Sequence, residues 1–320
     1  MPLRRRTLPL LLLSLPALPA RAAAAIRLGT LRFGSMAWEL DVIRAHRLDK
    51  SFAFEPVEFA TGQASQVALQ AGGVDVILQD WLWVSRQRAS GADWTFSPAS
   101  AALGAILAAP GSPVQRLADL PGRRLGIAGS PVDKSWLLLL VFAARTLRLD
   151  LAAAVEKTFG PPPLLAEQLE AGRLDAVLTY WPFAARGEAQ GLRVVLDMED
   201  VLTGLDIPPG LPLLGYVFSE AWAVGNRDAL QSFLEASREA RTILAGSDAE
   251  WERIAPLTGA ASPAELARLR SWYRRGIPGA WTPAAQDASE RLYHLLAQVG
   301  GPDLVGPAKQ LSKGTFWRSD

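Results

Sequence analysis

The chain has 320 residues, 49% of them hydrophobic, with 33 Lys and Arg set against 32 Asp and Glu. That is enough apolar content for one large domain or two lobes of roughly 100 to 150 residues each, and a net charge of +1 lacks the basic face that a nucleic-acid partner needs. There is no cysteine, which excludes disulfides and a lipid-anchoring cysteine after a signal.

Arg4-Arg5-Arg6 precede an apolar run from Leu8 to Leu18, and Ala20-Arg21-Ala22 supplies an A-x-A site, so residues 1–22 read as a secretory signal cut near Ala22. The run is about eleven residues, roughly half of a membrane span. Arg5-Arg6 also fits a twin-arginine signal, so the Sec and twin-arginine routes both stay open. Either route predicts a freely soluble periplasmic protein.

After the signal, short β-rich runs alternate with amphipathic helical stretches, the pattern of α/β layers with largely parallel sheets. Strands are predicted at Ile26 to Gly29, Phe52 to Phe59 and Val74 to Leu78. Helices are predicted at Ala37 to Ala45, Gln63 to Ala71 and Trp81 to Ala89. Asp93, Trp94 and Arg86 read as surface on an exposed connection. A second copy of the order follows Pro113. Its strands are Arg124 to Ala128, a region from Ala153 to Phe159, and Leu174 to Thr179; its helices are Lys134 to Leu147 and Pro163 to Ala171. Ala68-Leu69-Gln70-Ala71-Gly72-Gly73-Val74-Asp75 parallels Gln168-Leu169-Glu170-Ala171-Gly172-Arg173-Leu174-Asp175. In each copy a helix ends on Gly, as a left-handed cap requires, and Asp leads into a buried strand. Gly104 to Ala109 and Leu213 to Phe218 read as strands crossing between two lobes. From Asn226 the chain is mostly helical through Val299 and is expected to pack back on the first lobe. The predicted boundaries are 23–104 plus 218–320 for lobe 1 and 105–217 for lobe 2. Two lobes joined by two crossings make a hinge-closing ligand trap.

Four stretches resemble the nitrate/taurine/alkanesulfonate and thiamine-pyrimidine-precursor group of periplasmic binding proteins. They are Ala68 to Val76, Leu117-Ala118-Asp119-Leu120-Pro121-Gly122-Arg123-Arg124-Leu125-Gly126-Ile127, Gln168 to Val177, and Arg227 to Ala236. The second is the sharpest. The resemblance implies a type II periplasmic binding protein fold with ligand held at strand ends and helix N-termini, whose unpaired N–H groups suit anionic or polar ligands. Carried onto this sequence, the ligand-facing positions from the first lobe are Ser35, Met36 and Trp38, then Thr61, Gly62 and Gln63, then Asp80 and Trp81. Ser130, Asp133, Lys134, Tyr180 and Trp181 come from the second lobe, and Glu220 and Trp222 from the return crossing.

Each of these has a plainer reading. Trp38, Trp81 and Trp181 either stack on a planar ligand or cage a cation, or pack the core; Trp83, Trp136 and Trp222 fit the core better. Ser130 or Asp133 serves equally as a helix N-cap, as does Asp80 for the helix at Trp81, and Thr61-Gly62-Gln63 as a turn. A free Asp80 carboxylate in the cleft would favour an amine or a hydrogen-bonding ring and repel sulfonate or nitrate.

Enzymatic motifs are missing. His46 and His294 are far apart with no H-E-x-x-H spacing, and neither G-x-S-x-G nor a phosphate loop occurs. The fungal-type pyrimidine synthases share the family fold, but their cysteine-rich segment has no counterpart here. The expectation is therefore a monomeric receptor, without cofactor, catalytic residues or metal. It captures a small polar or aromatic solute, sulfonate-, pyrimidine- or amine-like, for an ABC permease and its ATPase. The alternatives are an accessory protein that binds a secreted oxidoreductase or other protein partner, and a metal or metal-chelate receptor using Glu39, Asp41, Asp80 or Asp133.

Overall fold

The computed structural model describes residues 25–318 except Phe33 and Lys309, so the expected signal over residues 1–22 lies outside the described residues. Its frame is two five-stranded sheets. The first begins with β1 (Ile26–Leu31), α1 (Met36–Ala45), β2 (Phe54–Phe59), α2 (Gly62–Gln70), β3 (Val76–Asp80), α3 (Trp81–Ala89) and β4 (Trp94–Ser100). The chain then enters the second sheet through β5 (Gly104–Ala108) and β6 (Arg124–Ala128). It continues with α4 (Lys134–Leu147), α5 (Leu151–Ala154), β7 (Glu156–Gly160), α6 (Pro162–Glu170), β8 (Ala176–Tyr180), α7 (Trp181–Ala189) and β9 (Arg193–Asp197). Helix α8 (Met198–Gly204) leads to β10 (Leu214–Ser219), which rejoins the first sheet. Helices α9 (Glu220–Gly225), α10 (Arg227–Gly246), α11 (Asp248–Thr258), α12 (Pro263–Arg275) and α13 (Pro283–Val305, broken at Gly301) follow.

The strand orders are β2-β1-β3-β10-β4 and β7-β6-β8-β5-β9, the same pattern twice. In each, three parallel strands are followed by one antiparallel strand, β10 or β5, and then an edge strand. The segments expected to cross between halves, Gly104 to Ala109 and Leu213 to Phe218, each lie within one sheet instead. The connections are residues 101–103 and the stretch from α8 to β10.

The repeated sequence motif has a repeated cause. Asp75 accepts hydrogen bonds from the Arg27 backbone N–H at 2.8 Å and from its guanidinium, tying the start of β3 to β1. Asp175 does the same for Arg124 at 2.8 Å, tying β8 to β6. Gly72 and Gly172, with φ of +72° and +67°, close the preceding helices in the left-handed conformation that glycine adopts without a Cβ penalty.

Alternation along the buried strands supplies both faces of each sheet with apolar cover. Val76, Tyr216 and Phe218 face one core with α1, α10 and α12, while Ile77, Phe96 and Val217 face the other with α3, α4 and α13. Two expectations fail here. Asp93 and Trp94 are not surface residues on a connection: Trp94 opens β4, and the Asp93 carboxylate accepts from Ser219 Oγ at 2.6 Å and Ala221 N at 3.1 Å. Pro98 hides this strand in the sequence, and it is tolerated because β4 is an edge. Nor do the C-terminal helices pack on the first half alone. α10 and α11 cover α1, but α12 lies along α7, and α13 touches both α3 and α4. Paired charges hold α12 there: Arg186 with Glu265, and Arg268 with Glu188 at 3.1 Å.

Candidate functional site

In open α/β sheets a ligand sits beyond the carboxyl ends of the parallel strands. Those ends belong to β1, β2 and β3 in the first sheet and to β6, β7 and β8 in the second. Trp38 in the first turn of α1 and Trp181 at the start of α7 meet edge to face, with centroids 5.8 Å apart, so the two sets of ends confront one another.

Six helices begin at this meeting place, and three of the starts are filled by the chain's own oxygens. Thr61 Oγ1 accepts from Ala64 N at 3.2 Å, Asp80 Oδ1 from Trp83 N at 2.8 Å, and Asp133 Oδ1 from Ser135 N at 2.8 Å. These are N-caps, and the two carboxylates occupy positions where helix N–H groups and the helix dipole would otherwise favour a bound anion. Asp133 does more than cap: Tyr180 Oη donates to its Oδ2 at 3.3 Å. Gly129 makes room for this pair, since a Cβ there would stand 2.6 Å from Tyr180 Oη and 3.1 Å from Asp133 Oδ2. Burial pushes the Asp133 carboxyl up from its ordinary value, against the pull of Lys134 and of the Ser135 and Trp136 N–H groups. Burial also raises the Tyr180 phenol, followed by the charge of Asp133; the Asp80 charge, from the first sheet, acts in the same direction. Asp80, Asp133 and Tyr180 thus form one electrostatic group drawn from both halves.

The other named residues divide. Ser35 precedes α1 half-buried and makes no side-chain cap bond. Gln63 and Ser130 are exposed, and Met36 is buried behind the first turn of α1. Trp81 is fully buried: its indole N–H donates to Pro212 O at 3.2 Å and its ring packs against Phe316. Core packing accounts for it. Glu220 lies elsewhere. Because β10 runs antiparallel to β3, pairing Leu214 with Asp80, its last residues lie at the opposite edge from the strand ends. There Glu220 pairs with Arg88 at 3.3 Å, and Trp222 leans on Phe218.

Sequence reasoning missed Tyr273. Its ring lies 6.3 Å from Trp38, 6.1 Å from Trp181 and 5.3 Å from Trp251, the centre of an aromatic cluster joining both halves. Its hydroxyl donates to Glu39 Oε1 at 2.8 Å, while Glu39 Oε2 accepts from Tyr216 Oη, Ser237 Oγ and Arg241 Nη1 at 3.1, 3.2 and 3.2 Å. Glu39, weighed above as a metal ligand, is therefore buried with both oxygens engaged, and Asp41 is ion-paired with Arg253 at 2.6 Å.

Burial first, and then the Glu39 charge, raises the Tyr216 and Tyr273 phenols above their ordinary value. A phenol whose folded pKa is raised contributes stability that is whole below about pH 10 and lost as pH rises, because only the unfolded chain releases the proton there. We expect these two to cost roughly 3 kcal/mol together by pH 11. Urea unfolding at pH 8 and pH 11 measures it, with Tyr180 and Tyr293, whose phenols burial also raises, adding to the same loss; an unchanged midpoint would show the phenols ionising freely in the folded chain.

The sequence pattern of the NMT1/THI5-like family matches residues 61–247, more than half of the chain and all of the second sheet. No curated protein matches the sequence. Among solved structures, the periplasmic aliphatic sulphonate binding protein SsuA of Escherichia coli superposes with TM-score 0.70 at 22% identity over 92% of this chain and 97% of that one. The alkanesulfonate-binding protein SsuA of Xanthomonas axonopodis pv. citri, bound to MOPS, gives 0.71 at 20% over 93% and 100%. A desulfurization enzyme, DszB, gives 0.60 at 16% over 86% and 92%. Likeness at such identities speaks for the fold, that of the periplasmic binding proteins, which here carries binders and an enzyme alike. With the expected type II architecture present and the family pattern covering most of both sheets, the chain belongs to the NMT1/THI5-like family.

Proposed function

We propose that the chain is the periplasmic solute receptor of an ABC importer, not an enzyme, with two lobes closing on a small ligand; their boundaries shift from the expected 104/105 and 217/218 to the connections at residues 101–103 and between α8 and β10, since Gly104 belongs to β5 and Leu214–Ser219 to the first sheet. It works as a monomer and delivers that ligand to a permease and its ATPase. The family membership supports the role, and the secretory signal read at residues 1–22, cleaved near Ala22, supports the compartment. The ligand is amine-like, or a ring that donates hydrogen bonds, and not a sulfonate. The observation carrying this is that Asp80 and Asp133 occupy the starts of α3 and α4, leaving carboxylates where an anionic ligand would be held. Trp38 and Trp181 are buried against one another; on parting of the lobes they would offer ring surface to a planar or cationic group, worth about 0.5–2 kcal/mol per contact.

A thermal-shift screen of the chain without residues 1–22 tests it, with aliphatic amines and aminopyrimidines set against taurine, alkanesulfonates and nitrate. The midpoint is expected to rise with the first set only, by mass action, and Asp80→Asn to weaken that binding at least about tenfold, the equivalent of 1.4 kcal/mol. A rise with the sulfonates would overturn the ligand class. The direct Trp38–Trp181 contact favours one second reading, an accessory protein whose halves stay joined and which binds a secreted oxidoreductase; silence across the whole panel would move the assignment there.

A further inference from the structure

The Glu39 cluster is the most heavily invested polar feature among the described residues. Its donors come from β10, α10 and α12, and the Glu39–Arg241 ion pair is more than nine-tenths buried on both sides. A buried ion pair is a poor device for stability alone, because the cost of removing both charges from water offsets most of their attraction; its better-attested use is to fix one arrangement over others. What this one can fix is found by following its donors outward. Tyr216, Ser237 and Arg241 end within the first half. Tyr273 does not: its hydroxyl is tied to Glu39, and its ring edge faces Trp181 at 6.1 Å with an interplanar angle of 63°. Trp181 follows Tyr180, the phenol bonded to Asp133.

We propose that Tyr273, anchored by Glu39, is the positioning residue that holds Trp181 of the second half against Trp38 of the first and so sets how far the two halves close. This rests on the receptor reading only in taking the space between the halves as the ligand site. α12 is suited to the task. It carries Tyr273 and is also joined to α7 through the Trp272 indole N–H, which donates to Glu188 Oε2 at 2.9 Å, so it touches the first half through Glu39 and the second along its length. Trp181 meets Trp38 and Tyr273 edge to face, at interplanar angles of 87° and 63°, while Tyr273 is tilted at 44° to Trp38; edge-to-face pairs are favoured over loose apposition and give the contact a defined geometry. The hydroxyl determines where Tyr273 stands, and the ring transmits that position to Trp181.

The chain has no cysteine, so a spin-label pair can be placed at will. Val67→Cys on α2 and Leu164→Cys on α6 sit at exposed positions, one in each half, and the distance between the labels reports closure without any ligand. Tyr273→Phe keeps the ring and deletes only the bond to Glu39; we expect the distance distribution to broaden and move to longer separations. Ser237→Ala removes another donor from the same carboxylate without touching Trp181, and is expected to leave the distribution where it was. An unchanged distribution in Tyr273→Phe overturns the proposal even if its melting point falls, because the residue would then serve stability alone. An equal shift in both variants also overturns it, as the effect would be a general loosening of the cluster. Should Tyr273→Phe fail to fold, Trp181→Phe shortens the ring that meets Tyr273 while leaving every bond to Glu39 in place, with the same two outcomes. The label distances do not depend on any solute, so a failed ligand screen and a failed closure test are separate results.

Discussion

Replacing Arg241 with methionine is expected to destabilise the folded chain by about 3–5 kcal/mol, a change read directly from the shift of the urea midpoint. Arg241 is 6% exposed and donates from Nη1 to Glu39 Oε2 at 3.2 Å and to Ser237 Oγ at 2.7 Å. Methionine fills much of the same volume, so little packing is lost. What remains is a carboxylate buried among apolar neighbours with three neutral donors and no counter-charge. The double replacement Glu39→Met with Arg241→Met removes both charges and is expected to recover part of the loss, because neither ion is then desolvated, while the buried Tyr273 hydroxyl loses its acceptor. With the Glu39→Met single variant measured as well, a double-variant loss equal to the sum of the two single losses would show the pair uncoupled and the cluster a set of independent hydrogen bonds.

Gly104→Ala is the second large effect, with an expected loss of about 3 kcal/mol or more. Gly104 opens β5 and stands opposite Tyr180 of β8. A Cβ there would lie 1.7 Å from the Thr179 carbonyl oxygen and 2.7 Å from its carbon. Both atoms are main chain, so no rotamer change relieves the overlap and the two strands must separate. The separation falls beside the Tyr180–Asp133 pair, so loss of ligand affinity should accompany the loss of stability. Gly246→Ala is the control: nothing stands near its Cβ position, it lies in α10, and a helix gains roughly 0.5–1 kcal/mol from alanine over glycine. Equal behaviour of the two variants would refute the steric account.

How much of this was legible in the sequence depends on how far apart the partners are. The caps at Thr61, Asp80 and Asp133 act on N–H groups two or three residues away, and the bounds of α4 and β6 fall where period and capping put them. The Asp75 and Asp175 motif was visible as a repeat, but its purpose was not, since Arg27 and Arg124 lie 48 and 51 residues upstream. Glu220 was misplaced because a strand's direction in its sheet is decided by its neighbours: β10 reads the same parallel or antiparallel, and only pairing with β3 sends its far end away from the cleft. Tyr273 was out of reach, 234 residues from the carboxylate that holds it.

The strand order carries a consequence for synthesis. β10 lies between β3 and β4 in the first sheet, yet it is made after the whole of the second sheet, whose strands run without interruption from Gly104 to Asp197. As the chain leaves the ribosome, β3 has an open edge and β4 has no neighbouring strand until residues 214–219 appear. The half that is made second can therefore be finished first, and the half that is made first must wait for it. During that interval the earlier strands are open to mispairing, and a chaperone that covered residues 76–100 would protect them for as long as the delay lasts.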